Sequence, residues 1–168
     1  YRRLNGTTKY NSTIVPQVTL ANERIQMSAI FNDKIVVARG GTVSYGGTSG
    51  AWTSLATTQG KVYTYDFDKF NFDGTSKIII ATGEAAAFTV NTSFAVDVIN
   101  ATGGGTAPTN PKFVKTFANH VFYGGMSNST HSILFSVPFS EDNFASGSGA
   151  GEIKVGDIVT GLKVFRDE

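Results

Sequence analysis

Four oxygen-bearing side chains crowd one stretch of the chain: Asp66, Asp68, Asn71 and Asp73, followed by Gly74. Such spacing invites a calcium reading. The calcium loop of helix–loop–helix proteins takes donors at its first, third and fifth positions, Gly at the sixth and Glu at the twelfth. Counted from Asp66, the fifth position is Phe70, the sixth Asn71 and the twelfth Lys77, so the pattern fails. The structural alternative is a strand with a solvated acidic edge, which discourages pairing with other chains. His120 and His131 are the two histidines. Zinc takes three or four N, S or O ligands, and the chain has neither Cys nor an HxH or HExxH spacing. His120 reads as a turn-edge residue at the start of a strand, and His131 as the opening of an outer strand. No catalytic, cofactor-binding or metal-binding residue is assigned, and no cofactor is expected.

The segment SYGGTSGAW, from Ser44 to Trp52, is close to the Asp-box turn of sialidase-like folds. It lacks the Asp, and its Gly-to-Trp spacing is off by one. Trp52 therefore reads as a packing anchor, whose ring buries a large area. Hydrolysis of a glycoside needs two carboxylates across a sugar, and no motif marks such a pair. The stretches GGTSG and TGGGT match neither phosphate-binding glycine pattern, and no GxSxG is present. Arg2 and Arg3 are too few for a nucleic-acid groove. Sequons at Asn5, Asn11, Asn91, Asn100 and Asn128 are what a chain rich in Ser, Thr and Asn produces by chance.

Composition narrows the class. Across 168 residues, 40% are apolar and 16% charged, enough for a packed core. β-branched and aromatic residues interleaved with turn formers favour strands over helices. A net charge of +1 supplies no basic field for a polyanion. Without cysteine there is no disulfide framework. No apolar run reaches the length of a membrane helix, and no membrane partner is expected.

The elements are organised by one phrase said three times: FNDKIVVARGG from Phe31, FDGTSKIIIATG from Phe72 and FANHVFYGG from Phe117. Each runs from Phe through a polar turn into a β-branched or aromatic strand that stops near Gly. A second apolar stretch follows each, ending at Tyr45, Val90 and Val137. The phenylalanines lie 41 and 45 residues apart. An all-strand repeat of this period predicts four-stranded antiparallel blades of a β-propeller. Residues 1–168 are expected to be part of one propeller domain, with repeats at about 24–60, 61–100 and 112–160 and a fourth starting near 161. That is about three blades of an incomplete ring. Phe165 echoes the phrase, so the chain is expected to be a piece of a longer protein. Phe31, Phe72 and Phe117 are expected to be equivalent and buried. Val15–Leu20, holding Pro16, reads as an edge strand or linker. Residues 61–72 read as an alternating strand, IKVGDIVTGLKVF as two short strands, and GEAAAF as a turn, being too short for a helix.

The third repeat carries a resemblance. PKFVKTFANHVFYGG, then SILFSVPFSEDNF, then GAGEIKVGDIVTGLKVFRDE resemble the propeller region of tail nozzle (tubular tail) proteins of short-tailed bacteriophages. YRRLNGTT, AIFNDKIVVARGGTVSY, AWTSLA and KFNFDGTSKIIIATGEAAAFTV are similar to other blades of that group. The resemblance covers most of the chain and rests on turns and strands, so it speaks to architecture more than activity. It implies a non-enzymatic structural protein of the virion, in a homo-oligomeric and generally six-membered ring. Its partners would be the adaptor and portal proteins and the tail fibres, with DNA only in transit through the lumen. The alternative is a receptor- or carbohydrate-binding tail module.

Overall fold

A computed structural model describes residues 24–165, apart from residues 49, 58 and 61. The readings of Arg2, Arg3, Asn5, Asn11, Val15–Leu20 and residues 166–168 lie outside the described residues. Twelve strands form three sheets, each four-stranded and antiparallel, with neighbours in chain order. The first sheet holds β1 (Ile25–Phe31), β2 (Lys34–Arg39), β3 (Thr42–Gly46) and β4 (Trp52–Ala56). The second holds β5 (Asp66–Phe70), β6 (Lys77–Ala81), β7 (Phe88–Asn91) and β8 (Val96–Val98). The third holds β9 (Phe113–Phe117), β10 (His120–Met126), β11 (Ser129–Phe135) and β12 (Gly151–Lys154). Among the described residues the helical content is one 3-10 turn, Ser146–Ser148. The all-β expectation holds at the level of three four-stranded antiparallel sheets.

Turn chemistry sets the hairpins. Asn32 and Asp33 both have positive φ, 46° and 58°, and join β1 to β2. Two left-handed residues make a hairpin turn whose twist matches that of the strands, and Asn and Asp tolerate that region. Ala118 and Asn119 do the same between β9 and β10, with φ of 48° and 66°. The GEAAAF segment is a turn: the Thr82 hydroxyl accepts from the Ala85 amide at 3.0 Å and donates to the Ala85 carbonyl at 3.2 Å.

The sheets stack face to face, with the second in the middle. β6 shows why. Ile78 and Ile80 belong to the apolar cluster shared with Met27, Phe31, Val36 and Val43 of the first sheet. Ile79 and Ala81 belong to the cluster shared with Val114, Val121 and Tyr123 of the third. Side chains alternate along a strand, so one strand serves two interfaces. A strand buried on both sides needs the unbroken KIIIA run rather than alternating polarity.

The register corrects the repeat. Phe31 faces Lys34, Phe70 faces Lys77 and Phe117 faces His120. Phe70, rather than Phe72, therefore holds the anchoring place. The β5–β6 connection spans six residues where the other two turns have two, and that displaced the match. Burial does not repeat either: Phe31 is 4% exposed, Phe70 8% and Phe117 54%. Phe72 is half-buried against Phe70, ring centroids 4.6 Å apart. Three further expectations fail. The strand over 61–72 begins only at Asp66, because the Tyr65 amide bonds to the Gln26 carbonyl of β1 instead. IKVGDIVTGLKVF contributes one strand, β12, with no strand over 155–165. His131 lies inside β11, and β12 is the outer strand.

These burials set the cost of truncation. Phe31→Ala should lose about 3–5 kcal/mol and Ile80→Ala about 2–5 kcal/mol, from lost burial and the cavity left behind. Phe117→Ala should lose much less than either. Urea denaturation of the three variants checks the order; equal losses for Phe31→Ala and Phe117→Ala would refute it.

Candidate functional site

The acidic side chains that suggested a calcium loop lie between the second and third sheets. Asp66 Oδ2 accepts from the Val114 amide at 3.0 Å, and Asp66 Oδ1 from Lys115 Nζ at 2.6 Å. Asp68 Oδ2 accepts from both the amide and the hydroxyl of Thr116, each at 2.7 Å. The remaining oxygen of Asp68 takes the Lys69 amide, and Asp66 Oδ1 also takes the Phe67 amide. The local cause is period two: residues 66 and 68 fall on one face of β5, with Phe70 beside them and Phe67 opposite. β9 is the first strand of its sheet, so among the described residues its other edge lacks a strand neighbour. Carboxylates reaching from β5 stand in for the missing strand's carbonyls. The reading of a solvated acidic edge is corrected: these side chains are half-buried acceptors.

Asp73 does not join them. Its carboxylate takes the Thr75 amide at 3.0 Å and pairs with Lys77 at 3.3 Å, and Asn71 is exposed. The Thr75 amide, with Lys77 beyond it, holds the Asp73 carboxyl below its ordinary range. Lys77 also reaches Glu141 at 2.7 Å, linking the second sheet to the loop after β11. Burial opposes the Lys77 charge, but Glu141 and then Asp73 raise its pKa above the ordinary 10.5.

One acceptor was passed over in the sequence. Asp142 takes the amides of Asn100, Ala101 and Thr102 at 2.7, 2.6 and 3.0 Å, and the Thr102 hydroxyl. Three successive amides converging on one anion form a nest. The glycine run beyond it cradles polypeptide: Phe144 N–H bonds to Gly104 O at 2.8 Å. At Gly105, with φ of 80°, a Cβ would meet the Phe144 carbonyl oxygen at 2.2 Å. The only signal for this role was the SEDNF run within the resemblance.

The histidines stay apart from this chemistry. His120 Nδ1 lies 2.5 Å from the Ser136 carbonyl, so that nitrogen carries the proton, and its ring meets Phe135 edge-on at 5.5 Å. His131 is exposed beside Thr130. Among the described residues no group of three or more His, Cys, Asp or Glu is placed to hold a metal ion. Trp52 is half-buried and lies on Gly46, where a Cβ would sit 2.7 Å from the ring. Burial raises the pKa of both the Tyr65 and Tyr123 hydroxyls; Tyr65 donates to Gly60 O at 2.7 Å and Tyr123 to Glu141 O at 2.8 Å. No described helix is long and apolar enough to cross a membrane.

The other feature is apolar. The face of the third sheet turned away from the second carries Phe117, Phe122, Ile133 and Ile153 along an open groove of about 270 Å³. Phe117 is 54% and Ile153 46% exposed. No known family model matches the chain, and no curated protein matches it.

Asp68→Ala would leave the Thr116 amide without its acceptor, at a cost of about 1–3 kcal/mol. Asp68→Asn keeps one acceptor oxygen and should lose less; chemical denaturation checks the order. Lys77 sets an alkaline limit. Its folded pKa is raised, so its contribution is complete below the unfolded value of 10.5 and is lost as pH rises through the folded value. Thermal melts of the parent and Lys77→Met should therefore differ at pH 8 and converge as pH rises past the ordinary 10.5 and through the raised folded value.

Proposed function

We propose that this chain is a structural protein of a bacteriophage tail, part of the nozzle that forms the DNA-ejection conduit. In this reading its stacked sheets are blades of a β-propeller, and it works through contacts between subunits. The observation that carries the reading is a division of labour on the molecule. Asp66, Asp68 and Asp142 are engaged in joining sheets and loops, whereas an apolar sheet face is left open to other protein. The resemblance of the third repeat to nozzle blades supports the same reading, and so does the net charge of +1. A conduit that lets DNA slip should make few phosphate contacts, since each adds salt-dependent affinity. The partners in this reading are further copies in a six-membered ring, the adaptor and portal proteins and the tail fibres.

Electron cryo-microscopy of the purified particles tests the proposal. Density for this chain in a six-fold ring beneath the portal is expected. Density confined to a distal fibre tip would overturn it in favour of a receptor- or carbohydrate-binding module.

A further inference from the structure

We propose that the groove between the hairpin ends of the second and third sheets binds an acidic oligosaccharide, with Phe72 and Phe139 as the surface on which a sugar ring stacks and Lys69, Asn71 and Asn119 as its polar contacts. Backbone strain supplies the first argument. Phe94 and Phe139 stand in equivalent connections, from the third to the fourth strand of the second and third sheets, and both are held at φ of 60°. That region is costly for a bulky side chain and persists only where the surroundings offset it. At Phe94 they do: its ring stacks on Tyr45 at 3.9 Å and meets Phe31 edge-on at 6.1 Å. Phe139 has one ring contact among the described residues, an edge-on approach to Phe72 at 6.4 Å, and is 61% exposed. The register explains the difference. The place of Tyr45 in β3 is held in β7 by Thr89, which has no ring to offer. Phe139 thus has the posture of Phe94 without its stacking partner.

Unspent polar groups supply the second. Phe72 lines a groove of about 370 Å³ together with Lys69, Asn71 and Asn119. Phe139 stands beside it, its amide bonded to the Asn119 carbonyl at 2.8 Å. The side chains of Lys69, Asn71 and Asn119 are exposed and bond to no other described residue. Their neighbours on the same rim behave differently: Asn32 donates to the Thr92 carbonyl, Asn91 accepts from Ser93 and Ala95, and Asp73 accepts from Thr75. A pyranose matches this surface, with an apolar C–H face for an aromatic ring and hydroxyls for amides that both donate and accept. The free Lys69 ammonium selects a sugar that carries a carboxylate. A polyphosphate fits less well. Lys115 on the adjoining wall is already paired with Asp66, and Asp68 stands beside it, so the positive field is small. The inference makes no use of the virion assignment, and its failure would leave that reading standing.

The test is a nuclear magnetic resonance titration of the full 168-residue chain with tetragalacturonate, a sialic acid tetramer and a hyaluronan tetrasaccharide. Saturable shifts of the Asn71 and Asn119 side-chain amides are expected with at least one of them, and weaker binding of the neutral cellotetraose. Phe139→Gly should weaken binding at least about tenfold, through loss of the stacking surface. Its melting temperature should nevertheless equal or exceed that of the parent, because glycine adopts the left-handed region without steric cost. Lys69→Met should abolish the preference for the acidic sugars over cellotetraose. No saturation by any of the three acidic sugars up to several millimolar would overturn the inference, as would unchanged binding by Phe139→Gly. A melting temperature that falls as far in Phe139→Gly as in Phe94→Gly would make the ring a structural clasp and overturn it too. Tighter binding of a thymidine oligomer than of any sugar would reassign the groove to single-stranded nucleic acid.

Discussion

β6 has no solvent side, and the arrangement of the other strands follows from that. Residues Ile78, Ile79, Ile80 and Ala81 are each fully buried, two on one face of the strand and two on the other. Burying each isoleucine is worth about 1.5–3 kcal/mol, so leaving either face wet would forfeit several kcal/mol. A single sheet of short strands cannot cover both its own faces. Two further sheets must therefore lie on the second, one on each side. Those outer sheets use one face each for this purpose. Phe31 and Phe117 hold the same register place, yet one is buried and the other half in solvent, because only the first has a sheet in front of it.

Stacking leaves a second requirement, which apolar contact cannot meet. Among the described residues, the first strand of each sheet has an edge with no strand beside it, and its amides and carbonyls need partners. Only the junction of the second and third sheets meets this with side chains reaching a first strand. Between the first and second sheets Gln26, at 2% exposure, ties the connecting loops instead: its amide nitrogen donates to Gly60 O and Tyr63 O ahead of β5, and its oxygen accepts from the Gly41 amide of the β2–β3 turn. Between the second and third, Asp66 and Asp68 accept from Val114 and Thr116. Placing charge at a half-buried seam carries a desolvation cost, which the Lys115 ammonium on Asp66 and the converging amides offset. Lys77 with Glu141, and Asp142 with the 100–102 loop, fasten the rim of the same junction.

What was legible in the sequence was local. The Asn32–Asp33 turn, the KIIIA run and the alternation that follows are set by backbone preference and side-chain period, so three similar sheets could be read off. What was not legible was long-range. Asp66 and Asp68 meet partners 48 residues away, and Asp142 meets its amides about 40 residues away. Nothing in the spacing of the acids distinguishes an acceptor for a neighbouring strand from a solvated edge. The misplaced anchor at Phe72 has a similar origin. A longer turn adds residues without changing the strand pairing, and a phrase matched by its turn residues slides with the insertion.

The third sheet does not repeat the seam that holds it. The register places that carry Asp66 and Asp68 in β5 carry Phe113 and Lys115 in β9, and the Lys115 ammonium turns back to Asp66. No carboxylate stands at these places to receive the amides of a strand lying beyond β9. What the third sheet presents on that side is the apolar surface of Phe117, Phe122 and Ile153, rather than acceptors of the kind that fix β9 on β5. Apolar contact is non-directional, and carboxylate–amide bonds are geometrically exacting. The junction of the second and third sheets is thus fixed in register by directional bonds, whereas the outer face of the third sheet presents mainly non-directional apolar surface.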